Sequence, residues 1–239
     1  MPLAERKPQI NESKVSGFDF DLLADSYDNW YTGRRGAMYD RLEKKAIIRY
    51  LPPHAKGEKL LEVGCGTGHW SQFFSEYGFE VTGVDVSERM IDAAKSKDIS
   101  NASFQVANGH SLPFADETFD VTAAITTLEF VRDAEAVVRE MIRCTRKTGQ
   151  VLLGVLNGLS KVNRQRQRQD GPESPYAAAR LFSPVELKEF LEPYGRMEMI
   201  VGGFVPEQSW LIPFAPWVNR IAGMFRSRKG AFIAAVLKL

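Results

Sequence analysis

The sequence predicts an α/β fold in which a mostly parallel sheet is covered by helices on both faces. From Lys59 onward, short apolar runs alternate with segments whose apolar residues recur at helical spacing, the order expected of strand–helix–strand units. Runs such as 119–125 and 151–155 are apolar almost throughout, as strands buried on both faces are. The first run also ends in an acid and enters its helix through glycines at alternate positions, 64, 66 and 68.

In chain order, residues 1–56 lack strand runs and form a helical flank or lid. They hold two expected helices, 21–30 and 38–51, the second stopped by Pro52 and Pro53. Leu60, Leu61 and Val63 make the first strand, and Trp70, Phe73, Phe74 and Tyr77 form one apolar stripe on the helix after it, which Gly78 ends. The second strand, 79–84, stops at Asp85, and Ser87 caps a helix bearing Met90, Ile91 and Ala94. Strands at 103–106 and 119–125 follow, then a helix with Ala134, Val137, Val138, Met141, Ile142 and Thr145 on one face, a turn at Gly149, and a strand at 151–155. Residues 157–182 are poor in apolar positions and read as an insertion, after which Ser183 caps a helix to about residue 194. Strands at 198–205 and 231–237 close the chain, separated by a second insertion at 206–229.

At 239 residues the chain suits one large α/β unit, 57–239, carrying the flank and the two insertions as a cap. With 31 basic and 30 acidic side chains, it has no global field to gather nucleic acid, and none is expected as a partner. Cys65 and Cys144, without companions at ligand spacing, give neither a disulfide framework nor a metal site. Residues 1–11 are polar where a secretory signal would be apolar, and 210–225 is broken by Pro213 and Pro216, too short to span a bilayer. A cytoplasmic setting fits.

The chemistry concentrates in Leu60-Leu61-Glu62-Val63-Gly64-Cys65-Gly66-Thr67-Gly68. Glycine there lets a ligand approach the backbone, and a helix N-terminus offers free N–H donors to a carboxylate. A dinucleotide fingerprint would need glycine where His69 stands, and a phosphate-binding P-loop would need a lysine after Gly68. Both readings fail.

The segment instead resembles motif I of the class I S-adenosylmethionine-dependent methyltransferases, most closely the type 11 branch that includes the ubiquinone and menaquinone enzymes. Three other segments are similar to that branch in order: Ala24-Asp25-Ser26-Tyr27-Asp28-Asn29-Trp30, Asp85-Val86-Ser87-Glu88-Arg89-Met90, and Ser111-Leu112-Pro113-Phe114 with Phe119-Asp120. The resemblance implies a Rossmann-like seven-stranded sheet whose last strand, 231–237, is antiparallel. It implies S-adenosylmethionine as cofactor, with Glu62, Gly64, Gly66 and Gly68 around its methionine end and Tyr27 near its carboxylate. Asp85 would hold both ribose hydroxyls, which a carboxylate does by accepting two hydrogen bonds. Val86 and Met90 would sandwich the adenine, and Asn108, standing where the family commonly has an acid, would accept from the adenine amine beside Gly109. Thr126 would join them at the carboxyl ends of the strands.

The expected reaction is direct methyl displacement onto a small, apolar or aromatic acceptor, which needs alignment and exclusion of water but no metal. Glu129, His110 and Tyr27 are the candidates for a base, and Tyr31, Tyr176 and Trp210 for acceptor contact, since aromatic faces suit a sulfonium. The run from Lys161 through Arg164 and Arg166 to Arg168 lacks interleaved aromatics and reads as a solvated face rather than an RNA contact. Residues 206–225 keep two readings open: packing of a cap, or an apolar surface that lines the acceptor pocket or touches a membrane, with Arg220, Arg226, Arg228 and Lys229 near headgroups. The rival functions are a cofactor-binding regulatory module without transferase activity and an RNA methyltransferase. Against base-amine methylation, Thr126-Thr127-Leu128-Glu129 lacks the Asn/Asp-Pro-Pro-aromatic pattern of those enzymes.

Overall fold

The computed structural model describes residues 18–53, 55–169, 174–225 and 227–239. The strands are β1 (Lys59–Val63), β2 (Glu80–Asp85), β3 (Ala102–Val106), β4 (Phe119–Ile125), β5 (Thr145–Leu156), β6 (Arg196–Gly202) and β7 (Phe232–Lys238). The helices are α1 (Asn29–Thr32), α2 (Arg34–Ile48), α3 (His69–Tyr77), α4 (Glu88–Ser96), α5 (Ala134–Cys144), α6 (Lys161–Gln169), α7 (Pro175–Ala178), α8 (Pro184–Leu191) and α9 (Ala215–Met224). One seven-stranded sheet runs β3-β2-β1-β4-β5-β7-β6. β1 to β5 pair in parallel, whereas β7 lies antiparallel between β5 and β6, as the resemblance implied.

Alternation along each strand explains the unbroken apolar runs. Leu61, Val151, Leu153, Val155, Ile233 and Ala235 face a core completed by Val137, Val138 and Met141 of α5 and by Leu187 and Leu191 of α8. Their neighbours Leu60, Val121, Leu152, Phe232, Ala234 and Val236 face a second core with Ala46 and Ile47 of α2 and Trp70 and Phe74 of α3. Both faces are buried, so neither needs polar residues. The strand order reverses beside β1, and the connections leaving β1 and β4 at their carboxyl ends open the crevice where the site lies.

Several expected elements differ in the structure. The helix expected over 21–30 is instead a 3-10 turn, Phe20–Leu23, a run of turns, and α1. Polar tethers compete with a continuous helix there. The Ser87 hydroxyl donates to Asp21, Arg89 donates to the Asp21 carbonyl at 3.0 Å and to the Asp25 carboxylate at 2.7 Å, and Lys97 pairs with Asp28 at 2.6 Å. α2 starts at Arg34 rather than at 38, after an extended Gly33. β5 begins at Thr145, directly after α5, with a register shift in its pairing to β4 between Phe119 and Val121. β6 ends at Gly202 because Gly203, at φ +73°, turns the chain away. The expectations placed on residues 1–11 and on Arg226 lie outside the described residues.

The polar stretch after β5 folds as α6 and α7 because its asparagines serve the sheet. Buried Asn157 donates to the carbonyls of Gly230 and Arg228 at 2.6 and 2.8 Å, and buried Asn163 donates to that of Ala231 at 2.7 Å. The carbonyls beside β7 thus gain side-chain partners rather than water.

Candidate active site

The turn between β1 and α3 is held from below by two backbone bonds, from the N–H groups of Gly64 and Cys65 to the carbonyl of Val84 at 2.8 and 3.0 Å. Gly64, Gly66 and Gly68 all have positive φ, and a Cβ at Gly64 would run into the Thr127 side chain. At the end of β2, each oxygen of Asp85 accepts one backbone bond, from Gly66 N–H and from Ser87 N–H, both at 2.9 Å. Each oxygen keeps capacity for a further donor. Burial raises the Asp85 pKa, while the N–H donors of Ser87, Gly66 and Val86 pull the other way.

Above this turn lies a half-open cavity with about 670 Å³ of empty space, its solvent-filled mouth included. Among the residues expected at the cofactor, Tyr27, Gly64, Gly66 and Asp85 line it, as do Val86, Met90, Gly109 and Thr126. Thr126 holds φ +51°, uncommon for a β-branched residue, with its N–H donating to Gly154 at 2.7 Å. Tyr27 reaches the cavity because the Asp28 carboxylate accepts a bond from the Thr67 hydroxyl at 2.7 Å, fastening that turn over the glycines.

Three expected cofactor residues stand elsewhere. Glu62 is buried behind the turn, where its carboxylate accepts a bond from the Ser71 hydroxyl at 2.5 Å and burial pushes its pKa up to about 8. Gly68 caps α3 and packs toward Ala94, Ile99 and Phe104. Asn108 does not line the cavity, because its side-chain oxygen accepts the His110 N–H and lies against His110 Nδ1, both at 2.9 Å. A short local ring is closed more readily than a contact across the crevice. His110 itself does line the cavity, and its Nε2 is buried with no hydrogen-bond partner among the described residues.

A second cavity of about 990 Å³ adjoins the first, sharing Phe20, Tyr27, Thr126 and Phe130 with it. Tyr31, Tyr176 and Trp30 add to its aromatic wall, and Glu43 and Arg166 are its charged members. The Arg166 guanidinium lies 4.4 Å from the ring centroid of Trp30, 5.4 Å from Tyr176 and 5.5 Å from Tyr39. Burial pushes Glu43 up to about 7, with Asp40 adding to the rise and Arg166 and Lys44 opposing it. Burial also holds the phenols of Tyr27 and Tyr31 well above their ordinary range, so both stay neutral donors at pH 7. Tyr31 stacks on His69 at 3.6 Å, and His69 Nε2 lies 2.7 Å from Asp40.

Trp210, expected at the acceptor, lines neither cavity and is 72% exposed. Glu129, a candidate base, also lines neither. It is buried, one carboxylate oxygen accepts the Leu156 N–H, the other has no partner among the described residues, and burial pushes its pKa up to about 7. The carboxylate of Glu129 therefore serves the β5 backbone. Arg166, read as part of a solvated run, turns inward. Glu43 was not anticipated at all, although an acid on the same α2 face as buried Tyr39 and Ile47 was a legible signal.

Residues 61–153, from β1 into β5, match the family described as "Methyltransferase domain", type 11. This stretch is a methyltransferase domain of the S-adenosylmethionine-dependent kind. The chain is 29% identical to an uncharacterized protein of Methanocaldococcus jannaschii over 74% of this chain and 80% of that one. It is 27% identical to the malonyl-[acyl-carrier protein] O-methyltransferase of Pectobacterium atrosepticum over 59% of this chain and 58% of that one. The structure of a S-adenosylmethionine-dependent methyltransferase from Thermotoga maritima superposes with a TM-score of 0.71, at 23% identity and covering 92% of this chain and 97% of that one, which shows the fold.

S-adenosylmethionine is the cofactor of this methyltransferase family, and the first cavity suits it. Asp85 offers two acceptors to a cis-diol, Val86, Met90 and Ala107 offer apolar surface to a purine, and His110 Nε2 is a buried polar atom still to be matched. Among the described residues there is no cluster that could hold a metal ion and no helix long and apolar enough to cross a membrane.

Proposed function

We propose that this methyltransferase moves a methyl group by direct displacement onto a small aromatic or apolar acceptor seated in the second cavity. The observation that carries the reading is the shared wall: Tyr27, Thr126 and Phe130 line both cavities, so occupants of the two would meet there. Bound S-adenosylmethionine supplies an electrophilic methyl on a sulfonium. The aromatic wall keeps water from that charge and offers π faces to it, and a flat acceptor can stack among the same rings. Tyr27 and Tyr31 hold their protons and can position an acceptor oxygen or nitrogen. Glu43, with a pKa near neutrality, is placed to receive at its carboxylate the proton that an O–H or N–H acceptor gives up. Tyr27 then acts as a positioning donor, and His110, on the cofactor side, as a cofactor contact. Cytoplasmic location belongs to the same reading, supported by Cys65 and Cys144 both being free and buried.

The test is titration with S-adenosylmethionine, S-adenosylhomocysteine and NAD, followed by methyl-transfer assays with flat phenols, amines and acids and with RNA. Micromolar binding of the first two ligands and turnover of a small acceptor, reduced in Glu43→Gln, is expected. Binding without transfer to any small acceptor would favour a regulatory module, and transfer to RNA alone would overturn the small-molecule reading.

A further inference from the structure

The 3-10 turn Ser209–Phe214 buries Ile212, and α9 after it turns Asn219 toward the body of the protein. Asn219 accepts from the Phe204 N–H at 3.0 Å and donates to the carbonyls of Phe204 and Ala215 at 2.8 and 2.7 Å, and Ala215 is the buried residue of the helix. The opposite face carries Phe214, Trp217, Ile221 and Met224, at i, i+3, i+7 and i+10, with exposures of 55, 73, 51 and 76%. Trp210 and Phe225 extend it at 72 and 81%. A helix that turns a half-buried asparagine inward and presents its large apolar side chains outward is inverted for a water-facing element, and a contiguous surface of this kind marks an interaction site.

Charge selects the partner. The sequence contains no Asp or Glu from Gln208 to Leu239, while Arg220, Arg228 and Lys229 are exposed around the patch. A second copy docking face to face would bring these cations together, which like-charge repulsion opposes. An anionic lipid surface would neutralise them, and tryptophans beside aliphatic and phenyl side chains are the composition that settles at a headgroup boundary. We infer that this face docks the protein on anionic lipid bilayers, with α9 lying in the plane of the interface. The face is tied to the acceptor cavity. Arg35 of α2, the helix that carries Glu43, donates to the carbonyl of Pro206 at 2.9 Å, and Lys161 of α6, the helix that carries Arg166, pairs with Glu207 at 2.7 Å. These contacts join the face to the helices that line the second cavity, and docking itself does not depend on the proposed transfer.

The experiment is co-sedimentation of the full chain with phosphatidylcholine vesicles and with vesicles mixing phosphatidylcholine and phosphatidylglycerol. Binding to the mixed vesicles is expected, weakened by salt, and falling about tenfold or more in Trp217→Ser/Met224→Ser/Phe225→Ser and in Arg220→Glu/Arg228→Glu. These side chains are exposed, so circular dichroism and S-adenosylmethionine affinity should match the parent, which confirms that the variants fold. Absence of binding to both vesicle types, or binding that neither variant changes, overturns the inference. So does a dimer in size-exclusion chromatography that the apolar triple variant dissolves without any vesicle binding by the parent, since a second copy would then own the face.

Discussion

The Arg166 guanidinium stands 4.4 Å from the ring centroid of Trp30, joining α6 to α1 across the second cavity. Its charge rests on the faces of Trp30, Tyr39 and Tyr176, and it also tempers the rise in the Glu43 pKa. If this cavity receives the acceptor, Arg166→Ala should raise the acceptor KM about tenfold, the loss of a desolvated cation–π contact, and leave S-adenosylmethionine affinity unchanged. Steady-state kinetics beside calorimetric titration separates the two. Equal loss of both would place Arg166 in the general packing.

Asp85→Ala should weaken S-adenosylmethionine binding by about 2–3 kcal/mol, because a buried carboxylate bonded to two hydroxyls is lost. Part of that figure comes from the freed N–H groups of Gly66 and Ser87, which now bond to Asp85. Asp85→Asn, with the same shape, should fall between. A dissociation constant unchanged in the folded alanine variant would remove Asp85 from the cofactor site.

Gly64→Ala tests the turn. The new Cβ meets the Thr127 side chain at a backbone φ of +73°, so both sterics and conformation oppose it. We expect about 1–3 kcal/mol lower stability in urea denaturation, with cofactor affinity reduced in the protein that remains folded. Gly57, also at positive φ but in open space, is the control: its alanine variant should cost less than Gly64→Ala.

Stability without ligand should fall as pH rises. Glu43 and Glu129 hold their protons to about pH 7 and Glu62 to about pH 8, from an ordinary value of 4.5, because burial disfavours their charged forms. Above 4.5 the unfolded chain has released protons that the folded chain retains, so the stabilisation is complete below 4.5 and lost as pH passes through 7 to 8. Each group contributes a slope of up to about 1.4 kcal/mol per pH unit. Glu62→Gln, which keeps an acceptor for Ser71, should flatten the upper part of this decline in thermal denaturation. A wild-type curve that rises from pH 5 to 8 would count against the burial of these carboxyls.

Glu43 gives the kinetic counterpart. As the receiving base it works deprotonated, so turnover should climb with pH through about 7, and Glu43→Gln should lose that limb together with about two orders of magnitude in kcat. A profile unchanged in the variant would assign the proton to solvent.

What the sequence determined by itself was local. Runs apolar on both faces, the cap at Ser87, the stop at Gly78 and the triple-glycine turn ending near Asp85 are each set by a few adjacent residues, and each stands where it was expected. The antiparallel place of β7 and the cofactor came from family resemblance rather than periodicity. Tertiary structure alone decided which side chains meet across distance. It brought Glu43 of α2 and Arg166 of α6 to one cavity, kept Asn108 and Glu129 out of both, and left Trp210 outside. The reason is that the apolar pattern of α6 and α9 does not set which side faces inward. The inward side of α6 is chosen by Asn157 and Asn163 bonding to backbone near β7, and that of α9 by Asn219 bonding to Phe204. Such partners lie 15 to 73 residues away, beyond the reach of any local pattern in the chain.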